Sequence, residues 1–200
     1  KSDKRELILE AAATVFSEKG YHNATVEEIA KRAEIGKGTI YQYFSSKQDI
    51  LVEMMDRKFG KYTDSIQNSI LENDTTQNNM QRVINTHFVE LADIHQFAAG
   101  FFQTGGSPEH CGTAASKVVE ENRKKFVGSI EKLIRLGQEK GELCAGDAGL
   151  MAAAMIGALM GISGWAIEHQ SLLYSEPEQE AFTISIAKVM LAGLENNTTR

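Results

Sequence analysis

The sequence predicts an all-α protein of about nine helices, with an N-terminal three-helix head and a helical-bundle body. Three observations predict this class. Apolar residues recur at three- and four-residue spacing along most of the chain. The 200 residues include only 2 prolines, so long helices can run unbroken. No alternating run is long enough to argue for a sheet.

The first helix is expected to bury Leu7, Ile8, Ala11, Ala12, Val15 and Phe16 and to stop at Gly20. Thr25 and Glu28 then form a capping box, each side chain meeting an orphan backbone N–H of the other. Val26, Ile29, Ala30 and Ala33 share one face, and the two alanines allow close helix approach. Glu34-Ile35-Gly36 breaks the pattern, with Ile35 as an apolar plug. A short helix follows from Lys37 to about Phe44, with Ile40 and Phe44 turned inward. Lys37, Thr39, Tyr41, Gln42 and Tyr43 are left for the outside, and Gly38 has no side chain to keep a partner's backbone away. Two short helices on a three-residue turn, the second with a polar and aromatic outer face, describe a helix-turn-helix built for a DNA major groove.

The run GKGTIYQYFSSK and the opening helix RELILEAAATVFSEKGY together resemble the DNA-binding head of the TetR family of bacterial repressors, over about Arg5 to Leu51. The family's Tyr-x-x-Phe and the lysine beyond it are matched by Tyr41, Phe44 and Lys47. Two positions depart from the pattern. Glu34 stands where the turn commonly has glycine, which predicts a left-handed residue held at a cost of roughly 1 kcal/mol. Gly36 replaces a common serine and remains an acceptable N-cap. The DNA-contacting set expected from pattern and resemblance is Thr25, Lys37, Gly38, Thr39, Tyr41, Gln42, Tyr43 and Lys47.

Charge is divided along the chain. Residues 1–60 hold 10 Lys/Arg and 10 Asp/Glu, so the net charge of −6 belongs to residues 61–200. Within 31–47, Lys31, Arg32, Lys37 and Lys47 face Glu34 alone. A local basic face on an acidic chain favours selective docking over indiscriminate nucleic-acid binding. Residues 1–47 are therefore read as the DNA-binding domain and 48–200 as the regulatory domain.

In the body, Ser45 or Ser46 caps a helix running to about Leu71, the mechanical link from head to body. The polar run Glu72–Asn79 reads as a loop. After it come a helix from about Met80 to Ile94, a shorter one holding Phe97, Phe101 and Phe102, and a long one from about Glu109 to Glu139 with Gly141 as its stop. Leu150–Ile167 carries 18 residues without a charge, the length at which a membrane span becomes a candidate. Eight of these are alanine or glycine, however, and small residues recur at four-residue spacing (Ala154/Ala158, Gly157/Gly161), which favours a buried interface helix. With a last helix from about Glu178 to Leu194, it would pair with its symmetry mates. TetR-like proteins dimerise in this region, and a palindromic operator requires a dimer.

The resemblance also implies a ligand pocket. Phe88, Phe97, Phe101, Phe102, Met151, Met155 and Trp165 are its expected lining, an adaptable apolar set. Such a lining suits drugs, fatty acyl groups, lipids and aromatic metabolites alike. No cofactor or metal is expected. Cys111 and Cys144 are isolated, and His87 and His95 lie two helical turns apart, too far to share an ion unaided. No secretory pattern is visible, which suits a cytoplasmic address without membrane attachment. The expected function is a ligand-responsive repressor with double-stranded operator DNA, a small apolar effector and a second copy as partners. Alternatives on the same fold are control by a protein partner, or activation. No nucleophile–base pairing or phosphate-cradling loop argues for an enzyme.

Overall fold

The computed structural model describes residues 4–102, 113–168 and 176–194, with the side chains of 92–102 and 176–177 outside that description. Its described residues form helices without a strand: α1 (Lys4–Asn23), α2 (Val26–Arg32), α3 (Lys37–Tyr43), α4 (Lys47–Ser69), α5 (Thr76–Phe102), α6 (Thr113–Glu139), α7 (Ala148–Glu168) and α8 (Glu176–Leu191). That is 8 helices among the described residues, not about nine.

The difference lies in α5. Two expected helices, Met80–Ile94 and the segment with Phe97, Phe101 and Phe102, are one helix of 27 residues. It also starts inside the polar run predicted as a loop. Thr75 Oγ1 accepts the Asn78 N–H at 3.2 Å, so a threonine in that run caps the helix and the remainder is helical. The expected start of α6 at Glu109 falls outside the described residues. Its end behaves as expected, with Gly141 at φ 71° taking the left-handed conformation that closes the helix.

The chain forms two compact units, Lys1–Lys61 with Asp93–Asn122 and Tyr62–Ala92 with Arg123–Arg200. Helices α4, α5 and α6 each contribute residues to both. The first unit closes around Ile8, Ala12, Phe16, Ile29, Ile40, Phe44, Leu51 and Met54, joined by Ala115 of α6. The second buries Ile66, Met80, Ile84, Leu133, Ile134 and Leu159. Each of the isoleucine, leucine, methionine and phenylalanine side chains among these contributes about 1.5–3 kcal/mol on leaving water.

Candidate nucleic-acid interface and effector-responsive body

The turn between α2 and α3 is closed by main-chain bonds. Thr25 caps α2 with the full reciprocal box to Glu28. At the other end Ile35 N–H donates to Ala30 O at 3.0 Å and Glu34 N–H to Lys31 O at 3.3 Å, the paired bonds of a Schellman motif. That motif demands a left-handed residue, and Glu34 supplies it at φ 56° without being glycine. Gly36 then opens α3 with no side-chain cap. The head is pinned from below by Arg5, which pairs with Glu53 of α4, reaches Tyr43 O at 3.4 Å and lies 4.7 Å over the Phe44 ring.

This frame leaves one face of α3 to solvent. Lys37, Gly38, Tyr41 and Gln42 are exposed, as is Thr25 at the start of α2, while Thr39 and Tyr43 are half-buried. Tyr41, with 49% of its surface accessible, is a large ring left in water. A Cβ built on Gly38 would meet nothing within 4 Å, so the chain's own packing does not require glycine there. Lys37 pairs with Glu27 of α2 and lies 5.8 Å from the Tyr41 ring centre. The contact with Lys37 holds the Glu27 carboxyl below its usual range and pushes the Lys37 ammonium up. Arg32 is similarly engaged with Glu18. Lys47 is half-buried and donates to the carbonyls of Tyr21 (2.7 Å), His22 (3.2 Å) and Ala24 (2.7 Å).

The second unit contains a cluster that sequence reasoning passed over. His87 is buried, with Nδ1 2.7 Å from Tyr62 Oη of α4 and Nε2 2.7 Å from Ser163 Oγ of α7. Ser163 spends its proton on Leu159 O at 2.7 Å, so its oxygen accepts from His87 Nε2–H and Nδ1 accepts from Tyr62. Burial holds the imidazole neutral, depressing its pKa to about 4, and pushes the Tyr62 phenol upward. Phe126 stacks on His87 at 6.5 Å between centroids, and Phe88 meets it edge-on at 5.3 Å. The histidine is satisfied, buried on one helical face with Ile84 and Phe88. Nothing local foretold Tyr62 and Ser163 as its partners.

Of the expected pocket lining, Phe88 and Met155 are buried, Met151 is half-buried and Trp165 is 47% accessible. Phe88 meets Phe182 of α8 edge-on at 5.3 Å. Phe97, Phe101, Phe102 and His95 have side chains outside the described residues, and Cys111 lies outside them altogether. A groove of about 730 Å³ between α5 and α8 is lined mainly by neutral polar side chains, among them Asn78, Gln81, Asn85, Thr86, Gln179 and Thr183. That lining does not match an apolar ligand. No His/Cys/Asp/Glu group suited to a metal occurs among the described residues. Helix α7 is long and apolar enough to cross a membrane. One face is buried through Ala152, Met155, Leu159, Ser163 and Ala166, and the other exposes Leu150, Ala154, Gly157, Ala158, Gly161 and Trp165.

The family model of bacterial regulatory proteins of the tetR family matches residues 8–54, and that of the YsiA-like protein C-terminal region matches 55–176. The chain belongs to the TetR family of bacterial regulators. Within that family its similarity extends over whole chains. It is 27% identical over 198 residues to the fatty acid metabolism regulator protein of Bacillus subtilis, covering 98% of each. The solved FadR of Bacillus halodurans, a fatty acid degradation regulator, matches with 28% identity and TM-score 0.75, over 96% of this chain and 97% of that one. FadR of Bacillus subtilis, solved with stearoyl-CoA, matches with 27% identity and TM-score 0.73, over 94% and 98%. This TetR-family chain is thus a ligand-responsive transcriptional regulator with the helix-turn-helix head that its sequence announced.

Proposed function

We propose that this regulator is a dimeric repressor that sits on a palindromic operator and is released by a long-chain acyl compound, an acyl-CoA thioester foremost. The observation that carries the DNA half is the exposed face of α3, where Lys37, Thr39, Tyr41 and Gln42 surround a glycine that the fold itself leaves open. Thr25 and Tyr43 flank that face, and Gln42 is the candidate base reader. Two copies of the face, roughly 34–36 Å apart, would enter successive major grooves. Residues 1–47 act as the reader and 48–200 as the regulatory part, joined by the unbroken α4.

The effector half is supported by full-length similarity to regulators of fatty acid metabolism, one of them solved with stearoyl-CoA. Phe88, Met151 and Met155 are the residues proposed to meet the acyl chain. The second copy is proposed to cover the exposed face of α7, whose small residues let a like helix approach closely. That pairing, in a cytoplasmic protein that binds and does no catalysis, also accounts for the helix's apolarity without a membrane.

Selection of genomic fragments by the purified protein, followed by titration with stearoyl-CoA, free CoA and stearate, tests both halves. A palindrome released by stearoyl-CoA alone is the expected result. By linkage, DNA then weakens acyl-CoA binding by the same factor. A palindrome indifferent to every acyl compound overturns the effector assignment and leaves the DNA assignment standing.

A further inference from the structure

Lys47 is the lysine that the resemblance offers as a phosphate contact, and its geometry describes a different role. Its Nζ has three N–H donors, and three main-chain carbonyls converge on it: Tyr21 at 2.7 Å, His22 at 3.2 Å and Ala24 at 2.7 Å. These acceptors exist because Gly20, at φ 75° and ψ 160°, breaks the helical run of α1. The carbonyls that follow the break lack the ladder partners of a continuing helix. A cation at the end of a helix also meets the negative end of its dipole.

The site is closed on another side as well. The Tyr21 ring centre is 4.6 Å from Nζ, a cation–π distance, and Tyr21 is itself held edge-on by Phe16 at 5.5 Å. Partial burial lowers the pKa of the Lys47 ammonium, and Glu28, the capping-box carboxylate, opposes that shift in part.

The fixed segment matters for DNA. Ala24 O belongs to the residue immediately before Thr25, the N-cap of α2, and α2 leads through the Glu34 turn into α3. Holding residues 21–24 against the first turn of α4 therefore sets where α2 begins and, through the turn, how α3 is aimed. We propose that Lys47 is a positioning residue for operator recognition, acting on the α1–α2 junction through main-chain carbonyls and not by touching a phosphate. This deepens the operator-binding reading above and rests on it.

Arginine separates the two roles. A compact ammonium suits three converging carbonyls, whereas a planar guanidinium does not, yet either cation binds phosphate. The test measures binding of the full-length protein, Lys47→Arg and Lys47→Met to the selected operator and to an unrelated duplex across a salt series. Circular dichroism verifies that each variant is folded at the measuring temperature. Both variants are expected to lose operator affinity by about tenfold or more. Affinity for the unrelated duplex is expected to hold in Lys47→Arg, with an unchanged salt slope.

A phosphate contact predicts another pattern. Lys47→Arg would bind like the parent, and Lys47→Met would weaken on both DNAs alike with a slope smaller by about 1 per protomer, about 2 for the dimer. That pattern overturns the proposal, as does parental operator binding by both folded variants. If the variants do not fold, the ¹⁵N resonance of the Lys47 ammonium in the parent protein decides. An ammonium unchanged on operator binding supports positioning, and one coupled to ³¹P in the complex refutes it. A parent that prefers no sequence at all would instead fault the operator reading.

Discussion

His87 Nε2 lies 2.7 Å from Ser163 Oγ, and because Ser163 gives its own proton to Leu159 O, the histidine must be the donor in that contact. With Tyr62 donating to the other ring nitrogen, the imidazole is locked in one neutral tautomer across α4, α5 and α7. Protonation would force two donors against each other at Nδ1 unless the Tyr62 hydroxyl turned away.

The acid sensitivity of the fold follows with a definite sign. The His87 pKa falls from 6.5 to about 4 on burial, so between those values the unfolded chain binds the extra proton. Stability from this group is complete above pH 6.5 and is lost as pH falls toward 4, by up to about 3 kcal/mol. Urea unfolding at neutral and acid pH should show that loss in the parent and a clearly smaller one in His87→Gln. Equal acid losses in both proteins would remove His87 as the cause.

Glu34 carries backbone strain that glycine would relieve. At φ 56° its Cβ opposes the following carbonyl, while glycine would restore some freedom to the unfolded chain. Glu34→Gly is expected to stabilise the protein by roughly 0.5–1 kcal/mol, and Glu34→Ala, which keeps the Cβ, to give no such gain. Thermal melting of the pair distinguishes relief of strain from removal of charge. A matching rise in Glu34→Ala would point to charge.

Gly38 separates folding from binding. Nothing stands within 4 Å of a Cβ built there, and alanine is the better helix former by up to about 1 kcal/mol. Gly38→Ala is expected to melt no lower than the parent and to bind the operator about tenfold or more weakly. Undiminished affinity in an anisotropy titration would mean that DNA does not approach this stretch of α3.

Gly157 offers the same separation for dimerisation. A Cβ built at Gly157 or at Gly161 meets nothing within 4 Å of its own chain. Gly157→Leu should therefore leave the monomer's helices intact while holding a second copy of α7 away. Sedimentation is expected to show a monomer with parental helical content. A Gly157→Leu protein that remains dimeric would place the interface elsewhere.

The head was legible because its instructions are local. The Thr25–Glu28 box, the break at Gly20, the left-handed Glu34 and the inward pair Ile40 and Phe44 all act within a few residues, and each occurs where the spacing put it. The body is less legible. The start of α5 was hidden because Thr75 caps from inside a polar run, and its continuation past Ile94 because short apolar stretches do not reveal whether one helix or two carry them. The apolar character of α7 was plain, but not which of its faces would be buried.

By itself, the sequence determined the all-α class, the helix-turn-helix with its outward Lys37, Tyr41 and Gln42, and the neutral head on an acidic body, since periodicity, capping and composition are properties of neighbouring residues. Tertiary structure decided the partners. Tyr62 finds His87, His87 finds Ser163, and the Lys47 ammonium meets carbonyls more than 20 residues away. Such pairings are set by how helices are brought together in space, and no local spacing records which distant donor a buried acceptor will receive.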